Sequence, residues 1–185
     1  YAEHVLEFLA SEHDLSSFLW VGHSFGGRVG MRIAATHAGA IRHLFLVASA
    51  GVPRTRSAWQ KLQGRRRGLE FKLRKSMANG DAELQALEDQ SGSLDYIHSR
   101  ETGLRDIFVK TVNEDQTSTL ADISCPTTLI YGGKDGDTPV EVGEKLAAGI
   151  PNSKLIVCPE YDHISILDRG RHQIALCIKE QLGAT

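Results

Sequence analysis

Hydrophobic residues gather in four short runs, at 18–21, 43–48, 127–131 and 154–158. Each run is rich in leucine, isoleucine, valine or aromatic residues and is bounded by glycine, proline or polar residues. Each therefore reads as a strand of a buried parallel sheet. Between them the apolar spacing becomes helical. Residues 1–12 put Val5, Leu6, Phe8 and Leu9 largely on one face. Residues 27–37 form a helix of small residues suited to close packing on a sheet. Residues 140–149 start after Pro139, a good first-turn residue. Residues 168–182 alternate charge with Ile174, Leu176, Ile178 and Leu182. Such alternation of strands and helices predicts an α/β domain: a parallel sheet flanked by helices and joined by right-handed crossovers.

One crossover is out of proportion. From Ser49 to Pro126 there are far more residues than one connecting helix needs. The segment is polar, highly charged and helical in pattern over 58–77, 82–89 and roughly 96–112, with breaks at Gly92 and Gly103. Residues 53–121 are expected to form a helical cap over the carboxyl edge of a sheet built from 1–52 and 122–185.

Composition narrows the setting. A chain of 185 residues is enough for one ordinary domain, and no apolar run nears the ~18 residues of a membrane span. The three cysteines are an odd number without Cys-x-x-Cys spacing, which argues against a disulfide framework and a zinc site. Cys158 and Cys177 read as buried free thiols, and a reducing, cytoplasmic location fits. Charge is uneven: residues 54–75 carry nine Lys/Arg against one acid, a net +8 beside −10 elsewhere. The run reads as a solvated helix face. Without interleaved aromatics it does not suit nucleic acid, and steering of an anionic substrate is the alternative. No membrane partner is expected.

Chemistry enters at Gly22-His23-Ser24-Phe25-Gly26-Gly27, where the first strand runs into a helix. This is the context of a Gly-x-Ser-x-Gly nucleophile elbow. The serine is expected in a strained backbone conformation, with Gly22 and Gly26 both needed because a Cβ at either would clash across the turn. The turn would aim the helix N-terminus, with its free backbone N–H groups, at an oxyanion. A serine nucleophile needs a base, and the base an acid, in the chain order Ser, Asp, His. Asp135 and Asp137 follow the third strand in Tyr131-Gly-Gly-Lys-Asp-Gly-Asp-Thr-Pro139, and His163 follows the fourth. Parallel strands bring those loops to one edge. Asp162 reads as a solvated loop acid. His43 and the other histidines carry no motif, no cluster has metal-ligand spacing, and no cofactor fingerprint is present.

These motifs resemble the α/β-hydrolase fold family with a cap inserted after the sixth strand. The likeness covers essentially the whole chain and is strongest at Val21–Gly27, Tyr131–Pro139 and Tyr161-Asp-His163. It implies Ser24 as nucleophile, His163 as base and the Phe25 N–H as an oxyanion donor. It places the acid four residues before the proline, favouring Asp135 and leaving Asp137 to cap the following helix. His23, Trp59 and Phe108 are candidates for the substrate pocket; Trp59 and Phe108, like Phe71 and Tyr96, read either as pocket lining or as cap core, and His23 reads as structural rather than catalytic. The implied activity is cofactor-independent hydrolysis of a small or medium carboxylic ester, a small-molecule acyl substrate. Carbon–carbon bond hydrolysis with the same triad is the alternative. A non-catalytic binding protein on the same scaffold is the reading from another class. The resemblance begins at the fold's fifth strand, and the chain opens inside a helix without methionine. An N-terminally truncated chain is therefore expected, its second oxyanion donor absent. By itself it should be weakly active or inactive, with an open apolar sheet edge available for pairing.

Overall fold

The structure, a computed structural model, describes residues 1–13, 17–55, 58–78, 80, 98–99 and 101–183. The helix expected at 82–89, the break at Gly92, Tyr96 and the first part of the helix expected at 96–112 lie outside the described residues. The chain divides into two compact units, Tyr1–Arg54 with Asp115–Thr185, and Thr55–Glu114.

The first unit holds a four-stranded parallel sheet: β1 (Phe18–His23), β2 (Ile41–Val47), β3 (Thr127–Gly132) and β4 (Ser153–Cys158), in that spatial order. β1 and β3 run two residues and one residue past their apolar runs, β4 starts one residue before its run, and β2 starts two residues earlier and ends one short. Side chains alternate between the two faces of the sheet. Leu44 and Leu46 of β2 join Leu129 and Tyr131 of β3 in one core, and Phe45, Val47 and Ile130 enter the other. Because both faces are covered, the central strands are apolar at consecutive positions. The first core is closed by α1 (Ala2–His13), α2 (Phe25–Thr36) and the α-helix Val140–Gly149. Phe8, expected on the apolar face of α1, is exposed, while Val5, Leu6 and Leu9 pack inward. Among the described residues β1 pairs with β2 alone, and Val21 on it is exposed.

The second unit contains α3 (Ala58–Met77) and α4 (Arg105–Val112), followed in the first unit by α5 (Val140–Gly149). Its bounds lie inside the expected 53–121. Residues 115–121 belong instead to the sheet unit, because the 3-10 turn Thr117–Asp122 buries Leu120 in the sheet's first core. Charged residues 65–75 on α3 are exposed, apart from the half-buried Phe71 among them. The single helix expected at 168–182 is two, α6 (Ser165–Asp168) and α7 (Arg171–Leu182). Gly170 parts them: its N–H turns back to the Ser165 carbonyl at 3.2 Å, and a Cβ there would overlap the carbonyl of buried Ile166. The inward face of α7 is Ile174, Cys177 and Ile178, leaving Leu176 and Leu182 exposed. Cys177 is buried and Cys158 half-buried, both as free thiols. Among the described residues no helix is long and apolar enough to cross a membrane.

One histidine belongs to this core. His43 is buried, stacks on Phe45 with ring centroids 4.4 Å apart, and shares a 2.9 Å hydrogen bond with Thr128 Oγ1. Burial pushes its pKa below the ordinary 6.5, partly offset by a hydrogen bond with Gln181. The unfolded chain therefore takes up this proton at a higher pH than the folded one. The neutral-histidine contribution is complete above about pH 6.5 and is lost as pH falls toward the lower folded value. The melting temperature of His43→Gln should fall less steeply than that of the wild type between about pH 7 and pH 5. Parallel curves would remove His43 from the acid response.

Candidate active site

The end of β1 turns into α2 through one residue, Ser24, with φ 48° and ψ −109°. A serine in that region carries strain of order 1–3 kcal/mol and persists only where its surroundings hold it. Here the Ser24 N–H donates to the Val47 carbonyl at 3.1 Å, and its carbonyl accepts the Gly27 N–H at 3.2 Å. Gly22 permits the turn: a Cβ there would lie 2.5 Å from the backbone of Gly26. The expectation for Gly26 itself is corrected, since a Cβ on it meets nothing within 4 Å. The second crowded position is Gly27, where a Cβ would overlap the Ser49 side chain. The Ser24 hydroxyl has no hydrogen-bond partner among the described residues, and Phe25, as first residue of α2, has no carbonyl one turn earlier to take its N–H.

A buried bridge braces the elbow from beneath. Ser49 Oγ donates to the Gly22 carbonyl at 3.1 Å, and the Ser49 carbonyl accepts the Tyr131 hydroxyl at 2.5 Å. Both residues are buried, and burial holds the Tyr131 hydroxyl protonated far above the ordinary phenol range. The contact ties β3 to the strand end carrying Ser24.

The loop after β3 presents Asp135, whose side chain is fully buried. Its Oδ1 accepts the backbone N–H of Asp137 at 2.8 Å and of Thr138 at 2.7 Å. Its Oδ2 lies 2.8 Å from Thr138 Oγ1 and 2.8 Å from His163 Nδ1. A carboxylate only accepts, so Nδ1 of His163 carries the proton, and in the neutral ring Nε2 is the free base. Thr138 Oγ1 is also 2.9 Å from the Ala48 carbonyl and 3.1 Å from His163 Nδ1. This threonine, unremarked in the sequence, fastens Asp135, His163 and the end of β2 together. Its spacing, three residues after the aspartate and just before Pro139, was the available signal. Asp137 is exposed, and no side chain caps α5, whose N-cap position is Pro139. Its expected capping role is thus corrected.

His163 reaches Asp135 because two loops abut backbone to backbone. The N–H of Gly133 donates to the Cys158 carbonyl at 2.9 Å and that of Lys134 to the Tyr161 carbonyl at 3.0 Å. A Cβ on Gly132, the last residue of β3, would overlap the Tyr161 carbonyl and one on Gly133 the Pro159 carbonyl, which explains the paired glycines. Asp162 also does more than sit in solvent. Its Oδ1 accepts the N–H of Ile164 at 3.1 Å and of Ser165 at 2.8 Å, while Ser165 Oγ accepts the Asp162 N–H at 2.9 Å. That reciprocal pairing has the form of a capping box set ahead of α6, which begins only at Ser165 behind Ile164, and it fixes the turn containing His163. These hydrogen bonds hold the Asp162 carboxyl below the usual carboxylate range.

His23, one residue before Ser24, lies against the same histidine. Its Nε2 is 2.9 Å from the His163 carbonyl, and the ring centroids are 4.6 Å apart. Burial pushes the His23 pKa down, with the His163 hydrogen bond opposing and the nearby His163 ring adding to the fall. Trp59 and Phe108 belong to the second unit, where Trp59 is exposed and Phe108 half-buried. Among the described residues one trio, Asp135, Asp137 and His163, offers possible metal-ligand atoms within 4.8 Å of one another. The Asp135 oxygens already accept backbone and side-chain hydrogens, and the His163 nitrogen in the trio bears a proton toward Asp135, so the donor set is that of a hydrogen-bonded acid–base pair.

Comparison with known proteins extends this description. A profile described as "Alpha/beta hydrolase family" matches residues 1–175. The chain is 27% identical over 180 residues to a pimeloyl-[acyl-carrier protein] methyl ester esterase of Chromobacterium violaceum, covering 90% of this chain and 70% of that protein. It is 27% identical over 174 residues to a 2-hydroxy-6-oxononadienedioate/2-hydroxy-6-oxononatrienedioate hydrolase of Cupriavidus pinatubonensis, covering 86% of this chain and 60% of that protein. The crystal structure of a hydrolase from Pseudomonas aeruginosa superposes with a TM-score of 0.65 at 23% identity, covering 99% of this chain and 71% of that one.

Proposed function

The chain belongs to the alpha/beta hydrolase family, and from that premise we propose that it is a serine hydrolase cleaving a small or medium carboxylic ester through an acyl-enzyme. Ser24 Oγ attacks the ester carbonyl while His163 Nε2 takes its proton. Asp135 holds His163 in the tautomer that leaves Nε2 free and stabilises the imidazolium. The Phe25 N–H and the positive end of α2 favour the tetrahedral oxyanion. His163 returns the proton to the departing alcohol. It then deprotonates a water that attacks the acyl-Ser24 carbonyl, releasing the carboxylic acid and restoring the hydroxyl. No residue in this sequence of steps requires a cofactor.

The observation that carries the reading is the 2.8 Å bond from His163 to a fully buried Asp135. Both sit in loops beyond the same sheet edge at which Ser24 breaks out of β1. The esterase named among the relatives supports ester cleavage. The hydrolase of Cupriavidus pinatubonensis favours a second reading, carbon–carbon bond hydrolysis by the same three residues. In either, the insertion expected at 53–121 is the part that selects the substrate. A fluorophosphonate probe is expected to label Ser24, and a panel of acyl p-nitrophenyl esters beside a vinylogous 1,5-diketone separates the two chemistries. A folded, full-length protein that is not labelled favours a binding role.

A further inference from the structure

We propose that His23 is a positioning residue: its Nε2–H holds the peptide of His163 against the end of β1 and thereby sets the reach from His163 to Ser24. The inference rests on the serine-hydrolase reading. It starts from the 2.9 Å contact between His23 Nε2 and the His163 carbonyl. A carbonyl only accepts, so the ring must present Nε2–H, and in the neutral ring Nδ1 is bare. His163 is then gripped on each side of its own Cα. Its ring is held through Nδ1 by Asp135, and its carbonyl is held by His23. The two N–H groups that follow it belong to the Asp162 capping box. Of these restraints only the one from His23 comes from the strand that carries the nucleophile.

The arrangement suits the chemistry. A general base needs its free nitrogen at hydrogen-bond distance from the serine oxygen, and a displacement of about 1 Å costs on the order of 10²-fold in rate. His23 and Ser24 are consecutive, so a bond from His23 to the base's own peptide couples the two reacting groups through adjacent residues. The titratable groups facing the His23 ring are His163 and Asp135. Burial favours the uncharged ring, which can lie 4.6 Å from His163 without repelling the imidazolium formed in turnover.

The test separates the N–H from the ring. His23→Phe keeps an aromatic ring and removes the donor; His23→Gln keeps a donor and removes the ring. The phenylalanine variant should lose about 10–100-fold in kcat and in the rate of fluorophosphonate labelling, with KM changed less than about threefold. The glutamine variant should recover most of the loss. Phenylalanine at the wild-type rate, or glutamine impaired as severely as phenylalanine, overturns the proposal. A measurement without substitution guards against misfolded variants: the nitrogen NMR signature of wild-type His23 should be that of the Nε2–H tautomer. An Nδ1–H tautomer also overturns it. If wild-type protein neither hydrolyses acyl esters nor reacts with the probe, the serine-hydrolase reading fails, whereas the tautomer measurement still decides the His23 bond.

Discussion

Replacing Ser24 by alanine is expected to lower kcat by about 10⁶-fold and to abolish fluorophosphonate labelling, while the melting temperature stays within a few degrees. The size follows from the cooperation of three groups. Without the Ser24 oxygen no covalent intermediate forms, and the His163–Asp135 pair has no nucleophile to deprotonate. What remains is the stabilisation that the α2 N-terminus gives to an oxyanion formed by water. The backbone should survive. Alanine suffers the same crowding as serine at φ 48°, and the turn is held by the Ser24 N–H and carbonyl, which the substitution keeps. The Ser24 hydroxyl makes no hydrogen bond among the described residues, so no buried partner is orphaned. Turnover of p-nitrophenyl esters above about 1% of wild type would exclude Ser24 as the nucleophile.

Asp135→Asn should cost about 10⁴-fold in kcat with the fold retained. The argument is one of donors and acceptors. Oδ1 faces two backbone N–H groups that cannot turn away, those of Asp137 and Thr138. The asparagine must therefore set its carbonyl oxygen there and its NH₂ where Oδ2 was. That NH₂ faces His163 Nδ1, which can remain unopposed only by giving up its proton. The ring then carries its hydrogen on Nε2 and cannot accept one from Ser24. Thr138 Oγ1 can meet the new donor by directing its own hydrogen to the Ala48 carbonyl at 2.9 Å, so the loop need not open. The same substitution at the exposed Asp137 should leave kcat within about twofold. Equal losses at the two positions would break the assignment of the acid. Kinetics with a melting curve for each variant decide between these outcomes.

The two aspartates show where sequence reading stops. As residues they differ by two positions in one loop, and only a resemblance ranked them. In three dimensions Asp135 is buried and bonded to His163, whereas Asp137 is exposed and offers its N–H to its neighbour. The elbow was legible because its cause is local: strand, glycine, serine and helix follow one another, and the clash that demands Gly22 lies within five residues. The demand on the next glycine was placed on Gly26 when it belongs to Gly27, because the obstructing atom is on Ser49, in the loop after β2. Ser49 lay outside every motif, and Tyr131 and Thr138 lay inside one without a role of their own, since their parts arise from contacts across the sheet. Asp162 looked like an ordinary surface acid, and it is exposed; its contribution is to the backbone around His163 rather than to a charge.

The sequence by itself determined the parallel sheet and the chain order of its strands, and it singled out Ser24, Asp135 and His163 as candidates for acyl transfer. Periodicity, turn residues and chain order are properties of neighbours along the chain. The tertiary structure alone decided which aspartate meets the histidine, which nitrogen of His163 is left free, and that His23 reaches the His163 carbonyl. Those outcomes depend on burial and on hydrogen bonds between loops after different strands. Such contacts exist only once the sheet has brought the loops to one edge.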